Sequence, residues 1–512
     1  MSRSGVVLRW LEDKSDWLSP IVVKEVRQMA TGREFASSFG GSLVAGLGIA
    51  FFGAADALSG SGTSGRWTFT ALMSCLTVLG LAIVPLGAFS ALRNERLEQT
   101  LELITLTALS ARRVVIGKLL AQIVKLGTLF AAVAPFIAMS FLLGGIDFIS
   151  IVIALAVLFM WSVWMSASGL FLSSLFKTRA MLGLVFGGAA IALFMVFGLG
   201  RMLYLFASRA AFGAGPVIGI GATGSDLWWV LAIMTTFCLV TMVNLVLLAE
   251  NRLSLQTENR VTALRVGFLA QFLLIAGWTL AYLDAAPRAQ ANALQALGIF
   301  GGLHLALVAM FTVTEDLVVS RRALLRLRTS SAWRWPLAMF NPGGGCGALY
   351  VLTQMALLIV AAWLFHPGWE QIRWFLAICG FICFFTGVPV FLYRVLRPAG
   401  GATLKLRLAV LALVPISLVV PDIVHYVLWQ PDVLNLRYSA RHLLNPFRTL
   451  ANWNLVETNG WFSMPLGLGL AGLLSYLRLI HIGTRLTAQA APTDSERTEA
   501  SAGEPDSANV LY

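Results

Sequence analysis

The chain predicts an all-α, polytopic transmembrane helical bundle, and three observations predict it. Of its 512 residues, 58% are hydrophobic and 12% charged, about half the charged share of a soluble globular domain. Apolar runs recur from end to end, many of them about twenty residues long, which is what a helix needs to cross roughly 30 Å of hydrocarbon. Lysine and arginine gather in alternate loops, as a bundle with a basic cytoplasmic side requires. That distribution also accounts for the net charge of +12 without nucleic acid, so no nucleic-acid partner is expected.

The elements follow in order. Residues 1–34 read as a cytoplasmic amphipathic segment. The opening MSRSGVVLRWLEDKSDW mixes charges of both signs and lacks the apolar core of a signal peptide. Ser19-Pro20 then starts a helix, a hydroxyl cap followed by proline at the first position. In that helix Val22, Val26 and Met29 fall on one side and Lys24, Arg27 and Gln28 elsewhere, the pattern of a helix lying in the membrane interface with its cations toward headgroups.

Residues 35–250 read as a six-span domain, with spans near 35–58, 67–92, 115–143, 149–176, 180–206 and 227–248. Arg93, Arg96, Arg112, Arg113, Lys118, Lys177, Arg179, Arg252 and Arg260 lie on one side of this count and few cations on the other. The N-terminus is therefore expected in the cytoplasm. Residues 251–485 read as a second group of about six spans, near 266–283, 293–313, 349–365, 374–393, 406–428 and 462–480. Between the last two, Arg437, Arg441 and Arg448 disturb the charge rule, so 429–460 is either an external or re-entrant segment or a sign that the count shifts there. No residue-level repeat links the halves. The tail 486–512, rich in Ala, Ser, Pro and acid, is expected to be a disordered cytoplasmic segment.

Most catalytic signatures are missing. Gly117-Lys118 lacks the upstream glycine of a phosphate loop and is followed by Leu119, so this chain is expected to bind no nucleotide itself. The five histidines, His304, His366, His425, His442 and His481, are scattered, and no metal site is expected. Asp56, Glu250, Asp284, Glu315, Asp316 and Asp422 sit at or near span ends. Ion-coupled carriers need ionisable groups at mid-membrane, and few are expected here. Asn244 and Gln354 read as helix–helix glue. Asp422, His425, Arg437 and Arg441 are the only polar group that a membrane-embedded lipid-modifying enzyme would use. Asp422 and His425, followed by Asp432, fit a proton-handling or metal-binding group, and an interfacial hydrogen-bonded pair is their simpler reading. The cluster Arg321, Arg322, Arg326, Arg328 and Arg334 fits either an anionic-lipid or acidic-partner site or topology alone.

The stretch 93–118 stands apart. Read as a helix, Glu95, Glu98 and Glu102 share one face, and Leu97, Leu101, Ile104 and Leu109 lie near a second, apolar one. Ser110 then caps a new helix opened by Arg112 and Arg113. An acidic, amphipathic helix between two spans is suited to dock on a partner.

In Glu95, Arg96, Thr100, Leu101, Glu102, Leu103, Thr107, Leu109, Ser110, Ile116, Gly117 and Lys118 this stretch resembles the first cytoplasmic loop of type-2 permeases of ATP-binding-cassette exporters. Pro20, Lys24, Glu25, Arg27 and Gln28 are similar to the N-terminal helix motif of the same family. Ala108 replaces the family's usual proline and Gln99 a common glycine; the likeness covers residues 19–250. The resemblance implies a permease subunit of a multi-pass bacterial inner-membrane exporter, driven by a separate ATPase subunit that holds ATP and Mg²⁺. It implies that Leu101, Ile104 and Leu109 enter a groove of the ATPase, with Glu95, Glu98 and Glu102 on its basic residues. Lys24, Arg27, Arg112, Arg113 and Lys118 would anchor the assembly at the membrane surface. One copy would form the whole permease or pair with a second permease chain.

Overall fold

The structure, a computed structural model, describes residues 20–60, 64–97, 111–144, 148–175, 224–253, 261–285, 290–315, 339–365, 368–396, 406–410 and 440–489, with isolated positions between 412 and 420. The described residues are helical and contain no strand. Ten helices are long and apolar enough to cross a membrane, and they coincide with ten of the expected spans. The expected span 180–206 lies outside the described residues, as does most of 406–428 and the whole tail from 490. Large side chains such as Val44, Phe51, Phe52 and Leu58 stand 66–90% exposed on these helices. A water-soluble surface does not carry apolar faces of that extent, whereas lipid accepts them. The chain divides into two compact units, residues 1–254 and 255–512.

The first unit opens with α1 (Pro20–Thr31), which packs on α5 (Ala111–Leu142). Helix α2 (Arg33–Leu58) buries Ser38, Ser42, Gly46, Ala50 and Gly53, a stripe of small residues, and turns its bulky residues outward. Small residues let helices approach where no water is present to drive association. Helix α3 (Ser64–Val78) continues through a π turn (Leu79–Ile83) into α4 (Val84–Leu97). Pro85 explains the turn: it lacks an N–H and its ring crowds the preceding carbonyls, and one wider turn absorbs both. Phe69, Leu72 and Leu76 of α3 meet Val133 and Ile137 of α5 and Leu158 of α6 (Phe148–Leu175) in the apolar core. Helix α7 (Gly224–Leu253) closes the unit on α6, where Trp164 donates to the Thr241 hydroxyl at 2.9 Å.

The second unit contains α8 (Val261–Ala285), α9 (Gln290–Thr312), α10 (Gly344–Phe365) and α11 (Trp369–Leu396). A 3₁₀ turn (Ala440–Leu444) and the short helices α12 (Pro446–Ala451) and α13 (Trp453–Thr458) lead into α14 (Ser463–Gln489). Helices α11 and α14 cross glycine on glycine: a Cβ added to Gly472 would lie 2.4 Å from the backbone of Cys383, and one on Gly469 2.9 Å from the Gly380 Cα. Thr386 and Tyr476 share a hydrogen bond of 2.6 Å across the same seam.

The segment 429–460 is thus no span in its described part, 440–460. Asn445 caps α12 by accepting from the Arg448 N–H at 3.1 Å, with Pro446 at the first helical position. Leu443, Trp453 and Val456 pack on Ala377, and Trp374 donates to the Leu450 carbonyl at 3.2 Å. These short helices therefore cap the N-terminal end of α11. Trp363 and Trp369 meet at that end with ring centroids 5.6 Å apart, the position of an interfacial aromatic belt.

Candidate partner-docking surface

Helix α1 is held by one face. Val22 is 5% exposed, Val26 and Met29 are half-buried, and Lys24, Arg27 and Gln28 face outward. This is the amphipathic division its sequence pattern requires. Between these faces lies Glu25, whose carboxylate accepts from the Lys118 ammonium at 2.8 Å. The Lys118 side chain is 2% exposed and that of Glu25 12%. A pair this secluded is costly to form and far costlier to break on one side, so it fixes the register of α1 against α5.

Lys118 corrects the sequence-based expectation. It is no membrane-surface anchor beside the two arginines but the buried end of an internal ion pair. The reason is geometric: Lys118 lies seven residues into α5, on the side that α1 covers. Arg112 and Arg113, in the first turn of the same helix, are exposed. Cations at a helix N-terminus oppose its dipole, so the helix itself does not account for them.

Of the expected docking residues, Glu95 falls in α4, whose backbone is described to Leu97, but its side chain lies outside the described residues. Glu98, Leu101, Glu102, Ile104 and Leu109 also lie outside them. What the structure brings together is α1 and the first part of α5, with Lys24, Arg27, Arg112 and Arg113 exposed.

Two lysines are nonetheless buried within one span. Helix α5 carries Lys118, Gln122 and Lys125 at buried positions, 2%, 7% and 4% exposed. Spaced by four and three residues, they form one polar stripe along an apolar helix, a signal that was present in the sequence.

In the second unit the polar centre is Arg265, fully buried at the start of α8. Its guanidinium donates to Glu315 at 2.6 Å, to the carbonyls of Met339 at 2.6 Å and Gly343 at 3.2 Å, and to that of Asn341. Tyr350 donates to the Arg265 carbonyl and accepts from Gln354 at 2.7 Å. Arg394 donates to the Glu315 carbonyl at 2.8 Å, and Arg407 to the Thr314 hydroxyl at 2.8 Å. Burial pushes the Glu315 carboxyl above its usual range, and the Arg265 guanidinium opposes the rise. This knot ties α8, α9 and α10 to the C-terminal end of α11.

His304 is buried against Phe268 and Phe272. Cys379 and Cys383 are buried thiols. Among the described residues no group of three His, Cys, Asp or Glu side chains is placed to hold a metal ion. Asp422, His425, Asp432 and Arg437 lie outside the described residues, as do Arg321 to Arg334.

No family model, no curated protein and no solved structure matches the chain.

Proposed function

We propose that the chain is the membrane-spanning permease subunit of an ATP-binding-cassette exporter of the type-2 kind, energised by a separate ATPase that docks on residues 93–118. One observation carries the reading. The two segments whose residues resemble that family, one around 20–28 and one around 93–118, are far apart in sequence, yet Glu25 of the first and Lys118 of the second form a buried ion pair of 2.8 Å. The pair holds α1 beside the root of the 93–118 stretch. Exposed Lys24, Arg27, Arg112 and Arg113 supply positive charge there, suited to anionic headgroups on the cytoplasmic face of a bacterial inner membrane.

On this reading the chain performs no hydrolysis. ATP and Mg²⁺ belong to the partner, and closure of the partner moves α4 and α5, the two spans that flank the docking stretch. Leu101, Ile104 and Leu109 supply the apolar contact and Glu95, Glu98 and Glu102 the charge. The test is purification of the tagged full-length chain from its native membrane in mild detergent, beside the same chain carrying Glu98→Lys and Glu102→Lys. An ATPase with a phosphate loop is expected with the first and not with the second. Absence of any ATPase from both preparations would sink the proposal.

A further inference from the structure

Two lysines of α5, seven residues apart and both buried, are treated differently by their surroundings. Lys118 is closed onto Glu25 at 2.8 Å. Lys125, about 10 Å further along the helix axis, is 4% exposed and forms no hydrogen bond through its ammonium among the described residues. Its electrostatic counterpart is Glu34, on the first turn of α2, but the two do not close into an ion pair. Glu34 from α2 and Lys125 from α5 both line a cleft of about 530 Å³ between α2, α4 and α5. An ammonium inside a membrane span is expensive unless something meets it.

The remaining lining says what that is. Ser37, Ser38 and Ser90 also line the cleft, and their hydroxyl hydrogens are used on the carbonyls of Glu34 (3.1 Å), Phe35 (3.0 Å) and Gly87 (2.9 Å). They therefore offer oxygen lone pairs, as Glu34 does, while Lys125 offers the donors. A simple anion would satisfy Lys125 and face a carboxylate and acceptors on the other side. A zwitterion satisfies both sides.

Gly87 leaves room for the ammonium, since a Cβ there would stand 3.3 Å from the Lys125 Nζ. Ile83 and Leu86 complete the lining and are 41% and 39% exposed, which gives the cleft an apolar lip toward lipid. The π turn and Pro85 shape this wall, and wide turns of this kind often sit at binding sites.

We propose that this cleft binds the headgroup of a zwitterionic amphiphile, one with an ammonium joined to a phosphate or carboxylate. Lys125 holds the anion, Glu34 and the serine oxygens hold the ammonium, and the hydrocarbon chains leave past Ile83 and Leu86. The inference needs the chain to sit in a membrane and does not depend on ATPase docking, so the two proposals fail separately.

The test is retention of dioleoylphosphatidylethanolamine against dioleoylphosphatidylglycerol by the full-length chain in detergent, read by native mass spectrometry. Soluble phosphoethanolamine serves as a competitor, and thermal unfolding is followed for each variant. The unmodified chain is expected to prefer the ethanolamine lipid. Lys125→Met and Gly87→Leu should each weaken its retention about tenfold, the scale of a lost charge-assisted contact. Glu34→Gln, at an exposed position, should weaken it and shift preference toward the glycerol lipid. Equal retention of both lipids by the unmodified chain, or an unchanged ratio in Glu34→Gln, would overturn the proposal. Full displacement by soluble phosphoethanolamine would overturn the part given to the apolar lip.

Discussion

Lys118 is the residue that ties α1 to α5 in the first unit, and the proposed docking face rests on it. Replacing it with methionine keeps the volume of the stem and strands the Glu25 carboxylate, 12% exposed, against an apolar helix. We expect Lys118→Met to destabilise the purified chain by about 3 kcal/mol, within the range for breaking a secluded pair from one side. The measurement is the melting temperature in detergent. The double exchange Glu25→Lys with Lys118→Glu should recover part of the loss, and an unchanged melting temperature in the single variant would contradict the role. At this scale the sequence was least legible. Lys118, Gln122 and Lys125 share a face, but an average over a span hides three polar residues among many apolar ones. Arg265 was hidden for a different reason: its partners Glu315, Met339 and Gly343 lie 50–78 residues away, and nothing local announces them.

Helices were legible because the bilayer sets their length. Each described span occupies an apolar run that the sequence displays, and the ends differ by a few residues where polar side chains extend the helix beyond the run. The short helices at 440–460 were legible only as an irregularity in charge, although Asn445-Pro446 is a cap-and-proline start. Which helices touch was not legible, because lipid-facing and partner-facing residues are equally apolar; small residues are the exception. Gly472 sits where a Cβ would lie 2.4 Å from the α11 backbone, whereas Gly467, five residues earlier on α14, has open space around its Cβ position. Gly472→Ala should therefore force α11 and α14 apart and cost about 1–3 kcal/mol, while Gly467→Ala should be neutral or slightly stabilising. Thermal unfolding of both variants checks the contrast, and equal effects would show that the crossing is not set by these glycines.

At the scale of the whole molecule, ten of the described helices are suited to spanning a membrane, and the partner that would supply the energy is our proposal. Class and membrane embedding follow from composition alone. The proposed docking face rests on a motif, and what the structure shows beside it is α1 tied to α5 by the Glu25–Lys118 pair. The most direct test places a photoreactive amino acid at Leu101 or Ile104, which the sequence pattern assigns to an apolar face, and at Val44, which is 73% exposed in the body of α2. The three full-length chains are then irradiated in their native membrane. A crosslink to a phosphate-loop ATPase is expected from positions 101 and 104 and none from position 44. Crosslinks to lipid alone from all three positions would contradict it.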